Sequence, residues 1–163
     1  MKKIIVIALL LAIFMSGHLF AQKRTGWAVG GAFTFDWAAG NNTYVNGAAL
    51  LFKTPWLPIM FGVSARFTEP DSAIGITADW WLVGPIHLIG PVNLYLGPGL
   101  YFWMIMNDQT DNMGFGMRIP LGFQIFIIPS TFEIFLEPAL RIEFLPQLPD
   151  FGMQAALGFR FWF

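Results

Sequence analysis

Apolar residues recur at every second position along most of this chain, with small, polar or charged residues between them. That is the period of a strand with one greasy and one mixed face. The last segment shows it most clearly: Phe151, Met153, Ala155, Leu157, Phe159, Phe161 and Phe163 share one face, and Gly152, Gln154, Ala156, Gly158, Arg160 and Trp162 share the other. The segment before it sets Phe132, Ile134, Leu136, Leu140, Ile142 and Phe144 against Glu133, Phe135, Glu137, Ala139, Arg141 and Glu143. Between Met113 and Ile125 the odd positions are apolar and Gly114, Gly116, Arg118, Gly122 and Gln124 lie opposite. Similar alternation runs over 27–37, 61–68, 74–82 and 92–103, and more weakly over 43–52, where Gly47 and two alanines blur the faces and Asn46 is assigned inward. The pattern predicts eight strands joined by turn-rich segments at 39–42, 53–58, 69–72, 84–91, 107–112, 129–131 and 145–150, with extension of a strand through His87 and Leu88 as the alternative inside 84–91. Pro98, Pro120 and Pro138 fall inside these strands, where each removes a ladder donor, so bulges or rim positions are expected there, with a bend at Gly97-Pro98-Gly99.

Composition decides what kind of sheet this is. The chain is 56% hydrophobic and 12% charged over 163 residues, against about 25% charged in an ordinary soluble domain. No stretch after the N-terminus is long and apolar enough for a spanning helix, and 11 prolines and 17 glycines oppose long helices. The remaining way to satisfy backbone groups in lipid is a closed β-barrel. The expected fold is therefore all-β: an eight-stranded antiparallel transmembrane barrel, with an even strand count and both termini on one side.

The N-terminus carries Lys2 and Lys3, the apolar run 4–15, then Ser16, Gly17 and the small Ala21, the order of a secretory signal peptide. Residues 1–21 are read as that signal and residues 22–163 as the barrel. The absence of cysteine excludes disulfides, thiolate metal sites and a lipoprotein anchor. Cleavage removes two of nine basic residues and none of ten acids, so the mature charge is 7 − 10 = −3.

Charge placement carries the prediction furthest. Arg66, Arg118, Arg141 and Arg160 fall on inward faces, as do Asp36, Asp79, Glu133, Glu137 and Glu143. Glu69, Asp71, Asp108, Asp111 and Asp150 fall in connections assigned to the outside, and Lys23, Arg24 and Lys53 to the periplasmic side. None is left for the lipid face, where a Lys or Arg at mid-depth costs about 2–4 kcal/mol. An eight-stranded barrel is just wide enough for its own side chains, so these nine residues are expected to form a structural ion-pair network. Trp81, Tyr95, Tyr101, Trp103, Phe135 and Trp162 would fill the space around it. The alternative for the same groups is a conduction path or proton relay. Trp27, Trp37, Tyr44, Trp56, Trp80 and Trp162 are candidates for interfacial girdles, although Trp162 falls in the inward register.

The ending Gly158-Phe159-Arg160-Phe161-Trp162-Phe163 resembles the C-terminal signal of outer-membrane barrels. That resemblance implies recognition of Phe159, Phe161 and Phe163 by the barrel assembly machinery. The mature chain resembles the small OmpA/OmpX-type eight-stranded barrels. Arg118-Ile119-Pro120-Leu121-Gly122 and Phe132-Glu133-Ile134-Phe135-Leu136-Glu137 are similar to the small barrels of spirochaetes. The resemblance implies a location in a bacterial outer membrane and a non-enzymatic envelope or surface-contact role, with acidic loops facing a surface partner or lipopolysaccharide-bridging cations. The sequence departs from OmpA in showing no periplasmic domain after the last predicted strand, so peptidoglycan anchoring is not expected, and from the adhesive members in its short loops, so adhesion is not expected.

Two rival functions are open to the sequence. A likeness to OmpW-type barrels implies transport of small hydrophobic molecules through a gap in the wall, with Gly97-Pro98-Gly99 as the candidate gap. A lipid-modifying barrel enzyme requires a nucleophile beside a base, and the mature chain offers His87 with Ser64, Ser72 or Ser130, which form no triad by position. No metal-ligand cluster, phosphate loop or basic patch is present, so no cofactor, metal or nucleic-acid partner is expected. The expected partners are outer-membrane lipid and the assembly machinery.

Overall fold

Strands built from alternating aromatic and aliphatic residues bury only one face each, and here they do so by closing on themselves. The computed structural model describes residues 26–38, 41–67, 72–106, 112–145 and 150–163; of these, residues 38, 41–45, 112 and 150 are described by backbone alone. The segment 1–21 read as a signal, with its expected cleavage after Ala21, lies outside the described residues, as do Lys23, Arg24, the acids Glu69, Asp71, Asp108 and Asp111, and the side chains of Tyr44 and Asp150.

The described residues form ten strands: β1 (Ala28–Ala38), β2 (Asn41–Lys53), β3 (Ile59–Phe67), β4 (Ser72–Trp80), β5 (Val83–Ile89), β6 (Val92–Leu96), β7 (Gly99–Met106), β8 (Asn112–Ile128), β9 (Phe132–Leu145) and β10 (Asp150–Trp162). Every pairing is antiparallel. The ring β1-β2-β3-β4-β7-β8-β9-β10 closes through the β1–β10 and β8–β9 ladders, giving eight staves. β5 and β6 prolong β4 and β7 as a hairpin on the side of the chain termini.

The register fixes the barrel's shape. A walk along directly paired residues from Ala28 passes Lys53, Met60, Asp79, Gly99, Arg118, Arg141 and Gly152, then returns to β1 at Ala38. The circuit is displaced by ten residues, from 28 to 38. With ~3.3 Å per residue and ~4.8 Å between strands, that shear corresponds to a strand tilt of about 40°.

Several expectations are corrected. The segment 84–91 is not a turn: it forms most of β5, and only Gly90 and Pro91 turn the chain between the paired Ile89 and Val92. Gly90 has φ +55°, which only glycine adopts freely, and the Pro91 ring holds φ near −65°. Pro120 and Pro138 make no bulges. Gly97 donates to the Pro120 carbonyl across the break between β6 and β7 (3.4 Å), where Pro120 has no donor of its own to lose. Opposite Pro138 the β8–β9 ladder skips Leu121 and Gly122, then resumes at Phe123–Leu136 in unchanged register. The β9–β10 ladder continues through Pro138–Ala155, so the missing N–H faces β8. The break at Gly97–Pro98 is real, but hydrogen bonds cross it: Trp80 N–H also donates to the Pro98 carbonyl at 2.8 Å. Asn46 points outward, paired between Phe35 and Phe67, because β2 presents its odd positions to the interior. Lys53, expected in the turn 53–58, is the last residue of β2 and lies inside the terminal end of the barrel, 3% exposed.

Size matching closes the interior. Tyr95 pairs with Gly122, Tyr101 with Gly116, Trp103 with Gly114 and Phe135 with Gly158. Each inward ring lies over a glycine on the next strand, and a Cβ at Gly122 would overlap the Tyr95 ring. Gly31 faces out, and there a Cβ would meet the Phe159 ring at an ordinary 3.5 Å. Gly122→Ala is therefore expected to destabilise the barrel by about 1–3 kcal/mol through overpacking, while Gly31→Ala changes stability by less than about 0.5 kcal/mol. Urea unfolding of the two refolded variants in detergent measures both, and equal midpoints would refute the size-matching account.

Candidate functional site

The interior is where chemistry-bearing side chains converge. All nine residues singled out from the charge pattern face the lumen. Glu133 (0% exposed) and Arg160 (1%) are the most deeply enclosed, and Arg66 is the least. With Lys53, every charged side chain among the described residues lies inside, five cations against five carboxylates. The outer face carries Phe33, Leu50 and Phe67, each about 70% exposed.

The polar groups form a chain along the barrel. At the terminal end Glu133 accepts from Arg160 (Nη1, 2.6 Å) and from the Trp162 indole (2.9 Å). Arg160 Nη2 also donates to the Tyr95 hydroxyl (2.9 Å) and to Glu137 (3.3 Å), and Tyr95 donates to the same Glu137 oxygen. The second Glu137 oxygen accepts from Arg118, whose Nε lies 3.1 Å from Asp79 and whose Nη1 donates to Gln154. Gln154 passes the chain on to Asp36 (2.9 Å), which also accepts from Arg141 (3.1 Å) and pairs with Arg66 (3.3 Å). Beside Arg141, Glu143 accepts from the Tyr101 hydroxyl and the Trp103 indole, both at 3.0 Å.

These contacts tie strands that the ladder does not. Arg160 on β10 reaches Tyr95 on β6 across the lumen, and Arg118 on β8 meets Asp79 on β4. The geometry also resolves a conflict. Arg118 and Arg141 are directly paired across β8 and β9, where like charges repel. Each guanidinium turns to carboxylates on other strands, Arg118 to Asp79 and Glu137 and Arg141 to Asp36, so the repulsion is compensated.

Aromatic rings close the terminal end. Trp81 stacks on Tyr95 (4.4 Å) and lies 5.9 Å from Trp162, and the Arg160 guanidinium sits 3.6 Å from the Phe135 ring centre and 5.2 Å from that of Trp81. Lys53 lies 5.9 Å from the Trp162 ring centre. Tyr95 and Gln154 are the connecting members that the sequence did not single out: a neutral amide carries no charge to be counted, and Tyr95 read only as filler.

Other candidates sit apart. Ser64 lies on the inner face of β3, Ser72 is exposed on β4, Ser130 occupies the β8–β9 turn and His87 is exposed on β5. Phe159, Phe161 and Phe163 face outward at the end of the last stave, with Phe132 packed 4.7 Å from Phe161. Trp27 and Trp56 meet edge-on at 5.2 Å at the terminal rim. A depression of about 380 Å³ opens on the outer wall; Arg141 is part of its lining, but Trp37, Ile119, Leu140, Phe151 and Met153 make its surface almost wholly apolar, without the several convergent polar groups of a ligand site.

Comparison with known proteins extends this geometry. The crystal structure of Neisserial surface protein A (NspA) matches with a TM-score of 0.51 at 14% identity, covering 84% of this chain and 97% of that one. The N-terminal β-barrel domain of Pseudomonas aeruginosa OprF matches with a TM-score of 0.51 at 13% identity, covering 82% and 97%. The chain shares the closed eight-stranded antiparallel fold of these small outer-membrane barrels. No protein-family model matches it, and no curated protein does.

The pairing makes a quantitative demand. Arg118 is the ionic partner of Asp79, so Arg118→Met strands a buried carboxylate and is expected to cost about 3–5 kcal/mol. Adding Asp79→Asn removes the stranded charge and recovers part of the loss, a coupling that a double-mutant cycle of urea midpoints reads directly. Strictly additive losses would dissolve the pair.

Proposed function

We propose that the mature chain is an integral barrel of a bacterial outer membrane, delivered there by its N-terminal signal, and that it serves as a non-enzymatic envelope or surface-contact component. Residues 22–163 form the barrel in this reading. Phe159, Phe161 and Phe163 form the end recognised by the assembly machinery, and the Arg–carboxylate set acts as a structural plug. The observation that carries the proposal is the complete segregation of charge among the described residues. Ten charged side chains face a lumen too narrow for bulk water, and the outer wall is built from Phe, Leu, Ile, Val, Met and Trp. In water such a wall would leave a contiguous apolar surface far beyond what monomeric soluble proteins tolerate. In hydrocarbon the same wall has no lipid-facing charge to penalise.

A sealed lumen also argues against conduction: the Trp81–Tyr95–Trp162 cluster and the Arg160–Glu133 pair occupy its terminal end. Transport of hydrophobic molecules through a gap in the wall loses its main support, since backbone hydrogen bonds bridge the interruption at Gly97–Pro98.

Two measurements test the reading. The refolded mature protein is expected to need detergent or lipid to stay monodisperse and to migrate differently on gels before and after heating. Planar bilayers carrying it are expected to show no stable ion conductance. A folded monomer in detergent-free buffer would end the membrane reading, and discrete reproducible channel steps would end the plugged-lumen reading while leaving the barrel intact.

A further inference from the structure

The β5–β6 hairpin does not belong to the closed ring. Among the described residues β5 pairs only with β6, and its seven residues run past Ile59, the first residue of β3. At ~3.3 Å per residue and a tilt of about 40°, the hairpin continues on the order of 15 Å beyond that point. Three of its features constrain where it sits.

Its outer face continues the barrel's apolar wall without a break. One row of directly paired residues runs Ile86, Leu94, Phe123, Leu136, Leu157 and Phe33, and a second runs Ile89, Val92, Ile125, Ile134 and Phe159. Ile86 and Leu88 are about half exposed and Ile89 is 77% exposed. No Lys, Arg, Asp or Glu occurs between Asp79 and Asp108, or between Arg118 and Glu133, so neither the hairpin nor the adjoining end of β8 carries a charge that seeks bulk water.

Its inner face and free edge differ. His87, Asn93 and Gln124 form one directly paired polar row on the opposite face. Along β5 the backbone groups turned away from β6 meet no neighbouring strand among the described residues. Unpaired edges are not tolerated in hydrocarbon, where each unsatisfied group costs several kcal/mol. The apolar outer rows therefore exclude open water, and the edge, bare among the described residues, excludes the acyl core.

We propose that this hairpin is a lipid-interface flap: its Ile86–Leu88–Ile89 tip lies in the headgroup and glycerol layer of the leaflet on the side of the chain termini, touching phospholipid with its outer face. This rests on the membrane-barrel reading and adds a specific contact to it. The flap anchors one side of the barrel deeper than the other, so lipid in that leaflet is packed unevenly around the circumference.

The chain has no cysteine, which permits single-cysteine variants Ile86→Cys and Val63→Cys carrying an environment-sensitive fluorophore in phosphatidylcholine liposomes. Val63 faces outward from the middle of β3 and reports the wall. Lipids with a nitroxide high on the acyl chain are expected to quench the label at position 86 more strongly than lipids with the nitroxide near the methyl end. The opposite order is expected at position 63. That places the flap on the order of 5–10 Å into the headgroup boundary. A second change, Ile89→Glu in the Ile86→Cys background, is expected to raise quenching by aqueous iodide while heat-modifiability on gels stays unchanged. If iodide alone quenches position 86 while lipid nitroxides quench position 63, the flap hangs in water and the proposal is overturned with the membrane reading intact. If neither position is quenched by lipid, the membrane reading itself falls. If position 86 is shielded from both and energy transfer between labelled copies rises with protein density, the flap covers a second copy instead of lipid.

Discussion

Closure of the hydrogen-bonded ladder is the constraint from which the rest follows. A sheet that meets itself after a ten-residue shift has no edge within the ring, and every strand residue must choose between a wall and a narrow interior. The interior admits side chains and little else. Bulky rings therefore stand over glycines, as Tyr95 does over Gly122, and charges enter only in balanced sets. Arg118 illustrates the coupling: its backbone position is set by pairing with Gly99 and Arg141, and its guanidinium is then within reach of Asp79, Glu137 and Gln154.

Much of this was legible because closure imposes period two on the sequence itself. Inward placement of Arg66, Arg118, Arg141 and Arg160 follows from the residues on either side of each, and so does the inward turn of Trp81 and Trp162. What the pattern could not show has definite physical causes. Gly84-Pro85 and Gly90-Pro91 give equal turn signals, yet only the second turns the chain. Pro85 lies on a strand with a free edge, where a missing N–H costs no ladder bond. Pro120 and Pro138 looked like interruptions because a ladder donor was assumed lost at each; Pro120 faces a break and Pro138 costs pairing only locally. Lys53 reads as the start of a turn because a strand's last position is ambiguous until its partners, Ala28 and Met60, are known. Asn46 was misassigned where both faces of β2 are nearly blank.

The connectivity of the polar chain was less legible than its membership. A count of charges finds donors and acceptors but not the order in which they bond, since neighbours in the lumen come from strands far apart in sequence. Asp36 meets Gln154 and Arg141, more than a hundred residues away. Glu137 can be shared by Arg118, Arg160 and Tyr95 only because β8 and β10 flank β9. Those adjacencies belong to the closed topology, and Gln154 becomes a necessary link only once they exist.

Why keep so many charges in an interior that apolar residues could fill? A buried ion pair is often no more stabilising than an apolar pair of equal volume, so net stability is a weak reason. Register is a stronger one. A one-residue slip turns every side chain of a strand to the opposite face. On β9 it would carry Glu133, Glu137, Arg141 and Glu143 onto the outer wall. Taking the Arg and Lys figure as an upper guide, four lipid-facing charges cost on the order of 10 kcal/mol. β2 lacks that safeguard, because its one described charge, Lys53, sits at its end, and Gly47, Ala48 and Ala49 leave the two faces nearly alike. Its register is held instead by Leu50 and Phe52 facing out and by continuous pairing with β1 and β3. The charged lumen thus acts first as a specification of which face each strand turns inward. The segment hardest to orient from sequence is also the one that this specification reaches least.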